Sequence, residues 1–346
     1  MGMLTSLEIC TGAGGQALGL EQAAFHHLAL VEIEEPACRT LKLNRPEWPV
    51  VRADVRDFHA RGLRGQVDLL AAGVPCPPFS VAGKQLGADD ERDLFPEVIR
   101  LAKETNPRAV FVENVPGLLE SRFDGYRTQV LEQLDSLGYE GEWRKFNASD
   151  FEVPQLRPRA LLVAAKRPTW KRFTWPEPSK KQPLTVGQAL LGEMKRNGWL
   201  GAEEWAAGAN SVAPTLVGGS KKHGGPDLGP SRARARWAEL GVNGKVLAQE
   251  PPEQNFVGLP HLTVKMAALL QGFPQDWVFF GPKTVAYRQV GNAFPPPVAK
   301  AIGIALAKAL TTQASEDRVE YGQLIELPRP KTHSLPDEDT AARDVR

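Results

Sequence analysis

At 346 residues, with 42% hydrophobic and 24% charged side chains, the chain has the composition of a globular protein able to form one large domain or two modest ones. No run of about 18 uncharged apolar residues occurs, which excludes a membrane-spanning helix, and the opening MGMLTSLEICTGAGG lacks the basic-then-apolar layout of a secretory leader. The three cysteines, Cys10, Cys38 and Cys76, are odd in number, far apart and without a CxxC, which argues against a disulfide framework or a metal site and suits a reducing cytoplasm.

A net charge of +1 conceals an asymmetry. Lys plus Arg against Asp plus Glu number 18 and 24 over residues 1–165, 14 and 8 over 166–260, 5 and 1 over 261–311, and 5 and 8 from 312 onward. A basic middle beside an acidic first half is what a chain meeting a polyanion would show; a solvated charged surface gives the same imbalance.

Short apolar runs at 4–10, 28–32, 49–54, 67–72, 109–113 and 160–165 predict strands, separated by helix-like stretches at 15–24, 35–43, 94–104 and 126–137. This alternation predicts an α/β fold with a Rossmann-like, doubly wound and mostly parallel sheet, whose ligands lie at the carboxyl ends of the strands. From residue 166 the texture changes. Residues 166–260 are rich in Gly, Pro, Trp and Lys/Arg, and VGGSKKHGGPDLGPSRARAR reads as loop, so a second, smaller and irregular domain is expected there. Helical texture returns at 263–270 and 297–310, and the polar, proline-containing residues 312–346 are expected to be disordered.

The polar punctuation at the predicted strand ends carries the chemistry. Gly12, Gly14 and Gly15 follow the first strand and open a helix, where a tight turn brings backbone amides close to a ligand. Glu32 ends the second strand, where a carboxylate can accept from ribose hydroxyls, and Asp54 ends the third, where it could meet an adenine amino group. These residues read as an adenosine site, as they would in a nicotinamide enzyme. The segment GVPCPPFS, 73–80, places Cys76 in a loop stiffened by Pro75, Pro77 and Pro78, poor material for a core. Such a thiol, ordinarily of pKa ~8.5, needs a helix N-terminus or nearby cations to gain thiolate character. The strand AVFVENV ends on Glu113 and Asn114, and a neutral Glu there could donate to a ring nitrogen. In QLRPR, Gln155, Arg157 and Arg159 alternate, so an extended backbone puts them on one face, able to grip a carbonyl or phosphate.

Cys76, Glu113 and the arginines beside an adenosine pocket suit covalent chemistry on a pyrimidine. A thiolate adding to C6 of cytosine makes C5 nucleophilic, provided N3 is protonated and O2 is held. A sulfonium donor then supplies a methyl group, and loss of the C5 proton expels the cysteine. The C6 edge is covered inside a duplex, so the base must be flipped out, at roughly a few kcal/mol.

The sequence resembles the cytosine-5 DNA methyltransferase family of bacterial type. ICTGAGGQALGLE is similar to its first motif, GVPCPPFS to its nucleophile loop and KQLGADDERDLF to the segment behind that loop. ENV and QLRPR follow, and LTVKMAALLQGFP and YRQVGNAFPPPVAKAIG resemble the last two motifs, all in family order over residues 7–165 and 261–303. The resemblance implies an S-adenosylmethionine-dependent enzyme acting on double-stranded DNA. In it, Cys76 is the nucleophile, Glu113 the partner of N3, Asn114 the residue fixing the turn, and Arg157 and Arg159 the groups orienting the site and cytosine O2. Cys10, Gly12, Gly14, Gly15, Glu32, Ile33, Asp54, Val55 and Asn292 would line the cofactor pocket. Ser80 and Gln85 would belong to a loop closing over DNA. Residues 166–260 fall where the family keeps its target-recognition domain, with Lys221, Lys222, Arg232, Arg234 and Arg236 as phosphate contacts, while 1–165 and 261–311 form the catalytic domain. The family further implies a monomer and a cognate restriction endonuclease acting on the same site.

Some positions depart from the family pattern. Cys10 stands where many members have a phenylalanine against the adenine, Pro77 replaces the glutamine common after the nucleophile, and Val264-Lys265-Met266 replaces a frequent Pro-Arg-Glu. A tRNA-directed member of the family would carry a Cys-Phe-Thr signature, which is absent. A non-catalytic DNA-binding derivative would be expected to lose Cys76 or Glu113. A nicotinamide oxidoreductase leaves Cys76, ENV and QLRPR unexplained, and a zinc deaminase would need His-x-Glu and a second cysteine.

Overall fold

The computed structural model describes residues 3–75, 93–219, 225 and 227–321, the last ten as backbone only. Five parallel strands open the fold: β1 (Leu4–Ile9), β2 (Phe25–Glu32), β3 (Val50–Arg52), β4 (Leu69–Ala72) and β5 (Ala109–Asn114). Two antiparallel strands, β6 (Tyr139–Asn147) and β7 (Pro158–Lys166), complete a sheet of order β3-β2-β1-β4-β5-β7-β6. The order reverses between β1 and β4, which opens a crevice at their carboxyl ends.

Every residue of β4 and β5 is buried, because helices cover both faces of the sheet. The helices of the first half are α1 (Gly15–Gln22), α2 (Glu35–Asn44), α3 (Phe95–Thr105) and α4 (Asp124–Ser136). Val110 and Val112 of β5 pack toward Val98, Leu101, Val130 and Leu134 of α3 and α4. Phe111, pointing the other way, meets a core with Leu20 of α1 and with Val298, Ile302 and Leu306 of the C-terminal helix, Pro296–Tyr321. That helix runs ten residues past 311, into the segment expected to be a polar tail.

The middle of the chain is more helical than its texture suggested. After β7 come α5 (Arg167–Trp170), α6 (Val186–Met194), α7 (Ala202–Gly208) and α8 (Ser231–Glu239), then α9 (Val264–Leu270) and α10 (Lys283–Asn292); the C-terminal helix is α11. Thr185 caps α6 in a capping box with Gln188, which satisfies otherwise orphaned amides. Trp199, Trp205 and Trp237 fill a core that also contains Leu18 of α1, Leu41 of α2 and Met266 and Tyr287 of α9 and α10. Residues 186–262 therefore share one apolar core with both halves of the rest of the chain. Among the described residues no helix is long and apolar enough to cross a membrane.

Candidate active site and cofactor crevice

The chain turns sharply where β1 ends. Cys10 and Gly12 have φ of 53° and 57°, and Gly14, the N-cap of α1, has φ of 89°. At Gly14 a Cβ would lie 2.6 Å from Leu41 Cδ2, and at Gly15 one would lie 2.0 Å from the Phe294 carbonyl oxygen. These two glycines are demanded by close packing. Gly12 differs, because a Cβ there would meet nothing within 4 Å, which leaves the turn open on the ligand side.

Glu32, at the end of β2, reaches back across this turn. Its Oε2 accepts from the Gly12 amide at 2.7 Å and its Oε1 from the Glu34 amide at 2.8 Å. Burial raises its pKa, while the amides of Glu34 and Gly12 oppose that shift. Asp54 is gripped by Arg56, whose Nη2 donates at 2.6 Å and whose side-chain hydrogen bonds keep the carboxyl below its usual range. Ile33 is half exposed and Val55 buried beside them. The Cys10 thiol is pushed far up, by burial first and then by the charges of Glu32, Asp54 and Glu8, so it stays protonated.

Two polar residues here, Gln16 within ICTGAGGQALGLE and Glu8 just before it, were given no role by the sequence. Glu8 and Gln16 are 0% and 3% exposed, and neither the two carboxyl oxygens nor the two amide atoms has a hydrogen-bond partner. Burial, then the charge of Glu32, drives the Glu8 pKa well up, which favours the neutral acid. Gln16 lies close to the start of the chain's exit from β4, where a Cβ on Gly73 would stand 3.9 Å from Gln16 Oε1 and 3.1 Å from the Cys10 carbonyl. For Glu8 the sequence signal was a charge in the apolar run LTSLEI.

On the other side of the crevice β5 and β7 run antiparallel, with Glu113 opposite Leu161 and Asn114 opposite Ala160. Arg159 is thus the diagonal neighbour of Glu113 on the same face. Their side chains, both nearly buried, approach to 2.6 Å between Arg159 Nε and Glu113 Oε1, a close ion pair whose angle falls short of an aligned hydrogen bond. Asn114 Oδ1 accepts from the Val115 amide at 2.8 Å and so holds the turn leaving the strand. Gln155 and Arg157 precede β7 and turn elsewhere. Arg157, 1% exposed, donates to the carbonyls of Leu216 at 2.7 Å, Gly291 at 2.7 Å and Ala293 at 3.0 Å. Asn292, exposed at the end of α10, donates through Nδ2 to the Gly219 carbonyl at 3.3 Å.

β4 ends at Ala72 on the same sheet edge, and the chain leaves through Gly73, buried Val74 and exposed Pro75. The next residue, Cys76, lies outside the described residues, as do Ser80, Gln85, Lys221 and Lys222. Arg232, Arg234 and Arg236 sit on α8 rather than in a loop. At ~100° per residue Arg232 and Arg236 share a helix face, while Arg234 turns away and donates to Ser231 Oγ at 3.2 Å. Among the described residues no group of three or more His, Cys, Asp or Glu is placed to hold a metal ion.

The profile of the C-5 cytosine-specific DNA methylase family matches residues 4–308. The chain is 55% identical over 309 residues to the Type II methyltransferase M.NgoMIV of Neisseria gonorrhoeae, covering 88% of this chain and 98% of that one. It is 53% identical over 318 residues to the Type II methyltransferase M.NaeI of Lentzea aerocolonigenes, covering 90% and 77%. In fold it is similar to the Entamoeba histolytica methyltransferase EhMeth, with a TM-score of 0.64 at 15% identity over 91% of this chain and 99% of that one. The chain belongs to the C-5 cytosine-specific DNA methylase family, and as an enzyme it is a DNA cytosine-5 methyltransferase.

Proposed function

We propose that the chain methylates C5 of a flipped-out cytosine at a specific short sequence in double-stranded DNA, through a transient bond between Cys76 and C6, with S-adenosylmethionine as donor. The observation that carries this is the Glu113–Arg159 pair, set on adjacent strands at the sheet edge where β4 delivers the chain to Cys76. The thiolate of Cys76 would add to C6, Glu113 would donate to N3, and Arg159 would hold both the Glu113 carboxyl and the cytosine O2. Once C5 has accepted the methyl group from the donor, loss of the C5 proton to solvent and return of the N3 proton to Glu113 would restore the ring and expel the Cys76 thiolate.

The crevice suits the cofactor's chemistry. Gly12 leaves room beside a helix N-terminus, Glu32, held at the Gly12 turn, would accept from ribose hydroxyls, and the unpartnered Glu8 and Gln16 would serve the polar amino-acid end. Ile33, Asp54, Val55, Cys10, Gly14, Gly15 and Asn292 would complete the lining, with Ile33 offering an exposed apolar surface for adenine where the thiol of Cys10 is small. The cofactor supplies an electrophilic methyl group on a sulfonium.

Residues 1–165 and 261–311 would form the catalytic domain and 166–260 the target-recognition domain, where Arg232 and Arg236 on α8 meet phosphates. Both relatives are named Type II methyltransferases, which supports a restriction-modification role; an endonuclease acting on the same site and a cytoplasmic, monomeric state of the chain belong to the same proposal. Bisulfite sequencing of DNA from cells expressing the chain should reveal protected cytosines in one short context, and cells expressing Cys76→Ala should show none. Protection surviving in Cys76→Ala cells would refute the nucleophile assignment.

A further inference from the structure

Gln271 follows α9, 0% exposed, in a place where no cofactor or base is expected. Its Nε2 donates to the Ala293 carbonyl, and its Oε1 accepts from Gln155 Nε2 at 2.6 Å. Gln155 in turn accepts from the Leu216 amide at 2.9 Å, and Arg157 donates to both Leu216 and the 291–293 turn. Three segments distant in sequence are thereby tied at one buried polar knot: the start of β7, residues 216–219 and the turn after α10.

The last two segments also touch directly. A Cβ on Gly291 would lie 2.3 Å from the Gly218 amide nitrogen, and one on Gly218 would lie 2.6 Å from Asn292 Oδ1. Neither glycine carries a side chain that would hold the two backbones apart, so the segments pack in close contact. Carbonyls at the end of a helix need donors, and Arg157 and Gln271 supply them for Gly291 and Ala293.

We propose that Gln271 is a positioning residue: with Gln155 and Arg157 it locks segment 216–219, on the DNA-reading side, to the Asn292 turn, on the cofactor side, so that each ligand strengthens binding of the other. This rests on the function proposed above. Coupling of this kind is reciprocal and, for one ligand acting on another, commonly amounts to about fivefold to a hundredfold.

The test uses the full-length chain and S-adenosylhomocysteine as probe, titrated alone and with a duplex bearing the sequence that bisulfite sequencing identifies. In the wild type the duplex should tighten probe binding about tenfold, and the probe should tighten duplex binding equally. Gln271→Met should leave each separate affinity within about threefold while the coupling falls to about twofold or less. Should that variant not fold, Gln271→Asn keeps the amide but draws it back by one methylene from Gln155 and Ala293, and should lower the coupling in the same sense. A wild type that methylates the duplex without coupling, or a folded variant with unchanged coupling, overturns the inference alone. A wild type that neither binds the probe nor methylates DNA overturns the proposed function beneath it.

Discussion

Position 8 holds a carboxyl near the carboxyl end of a buried strand, with no hydrogen-bond partner among the described residues. Its folded pKa lies well above the ordinary 4.5, so folding binds a proton that the unfolded chain releases. That contribution to stability is complete below about pH 4.5 and is lost as pH rises toward the folded value. Glu8→Gln removes the titration, and its melting temperature should fall less than the wild type's between pH 5 and pH 8. An identical fall would assign the effect elsewhere, with Glu32, whose pKa is also raised, the next candidate. Glu113→Gln deletes the proposed donor to N3 while keeping the shape of the site, and single-turnover methylation should slow by roughly 10²- to 10⁴-fold. A rate equal to the wild type's would place the acid on another residue. Glu113 and Arg159 were legible in the sequence because neighbouring strands carry them in short local motifs. Gln271 and Gln155 each lie within a quoted motif, but their bond spans 116 residues, so neither motif announced the pairing.

Among the elements, those with apolar periodicity were readable, and those anchored by single large residues were not. β6, YEGEWRKFN, escaped because it is an edge strand, paired only with β7 and largely solvent-facing, so its residues carry charge. α8 escaped for another reason: SRARARWAE has one buried residue, Trp237, at 0% exposure, and one anchor makes no stripe. Its arginines alternate as a strand's would, yet the helix separates Arg234 from Arg232 and Arg236. Trp237→Ala should therefore destabilise the protein by about 3–5 kcal/mol in denaturant melts. Arg232→Ala should leave stability within ~0.5 kcal/mol. It should instead weaken DNA binding and lower the slope of affinity against salt by about one. A salt slope unchanged in Arg232→Ala would remove this face of α8 from the DNA contact.

At the scale of the whole molecule, the sheet assembles the chemistry by topology. Strand order reverses between β1 and β4, so the glycine turn and the segment leading to Cys76 flank one crevice. The antiparallel return of β7 then brings Arg159 beside Glu113 at the same edge. The alternation of strands and helices foretold this layout; how residues 166–260 join it was hidden, because tryptophans scattered along that stretch meet α1, α2, α9 and α10 only in three dimensions. The most direct measurement replaces the target cytosine with 5-fluorocytosine, whose C5 substituent cannot leave as a proton, in a duplex of the sequence found by bisulfite mapping. With S-adenosylmethionine present, the wild-type chain should become joined to the DNA in a complex that survives denaturing electrophoresis, with peptide mapping placing the bond at Cys76. Absence of that complex, under conditions where the unmodified duplex is methylated, would contradict the covalent mechanism.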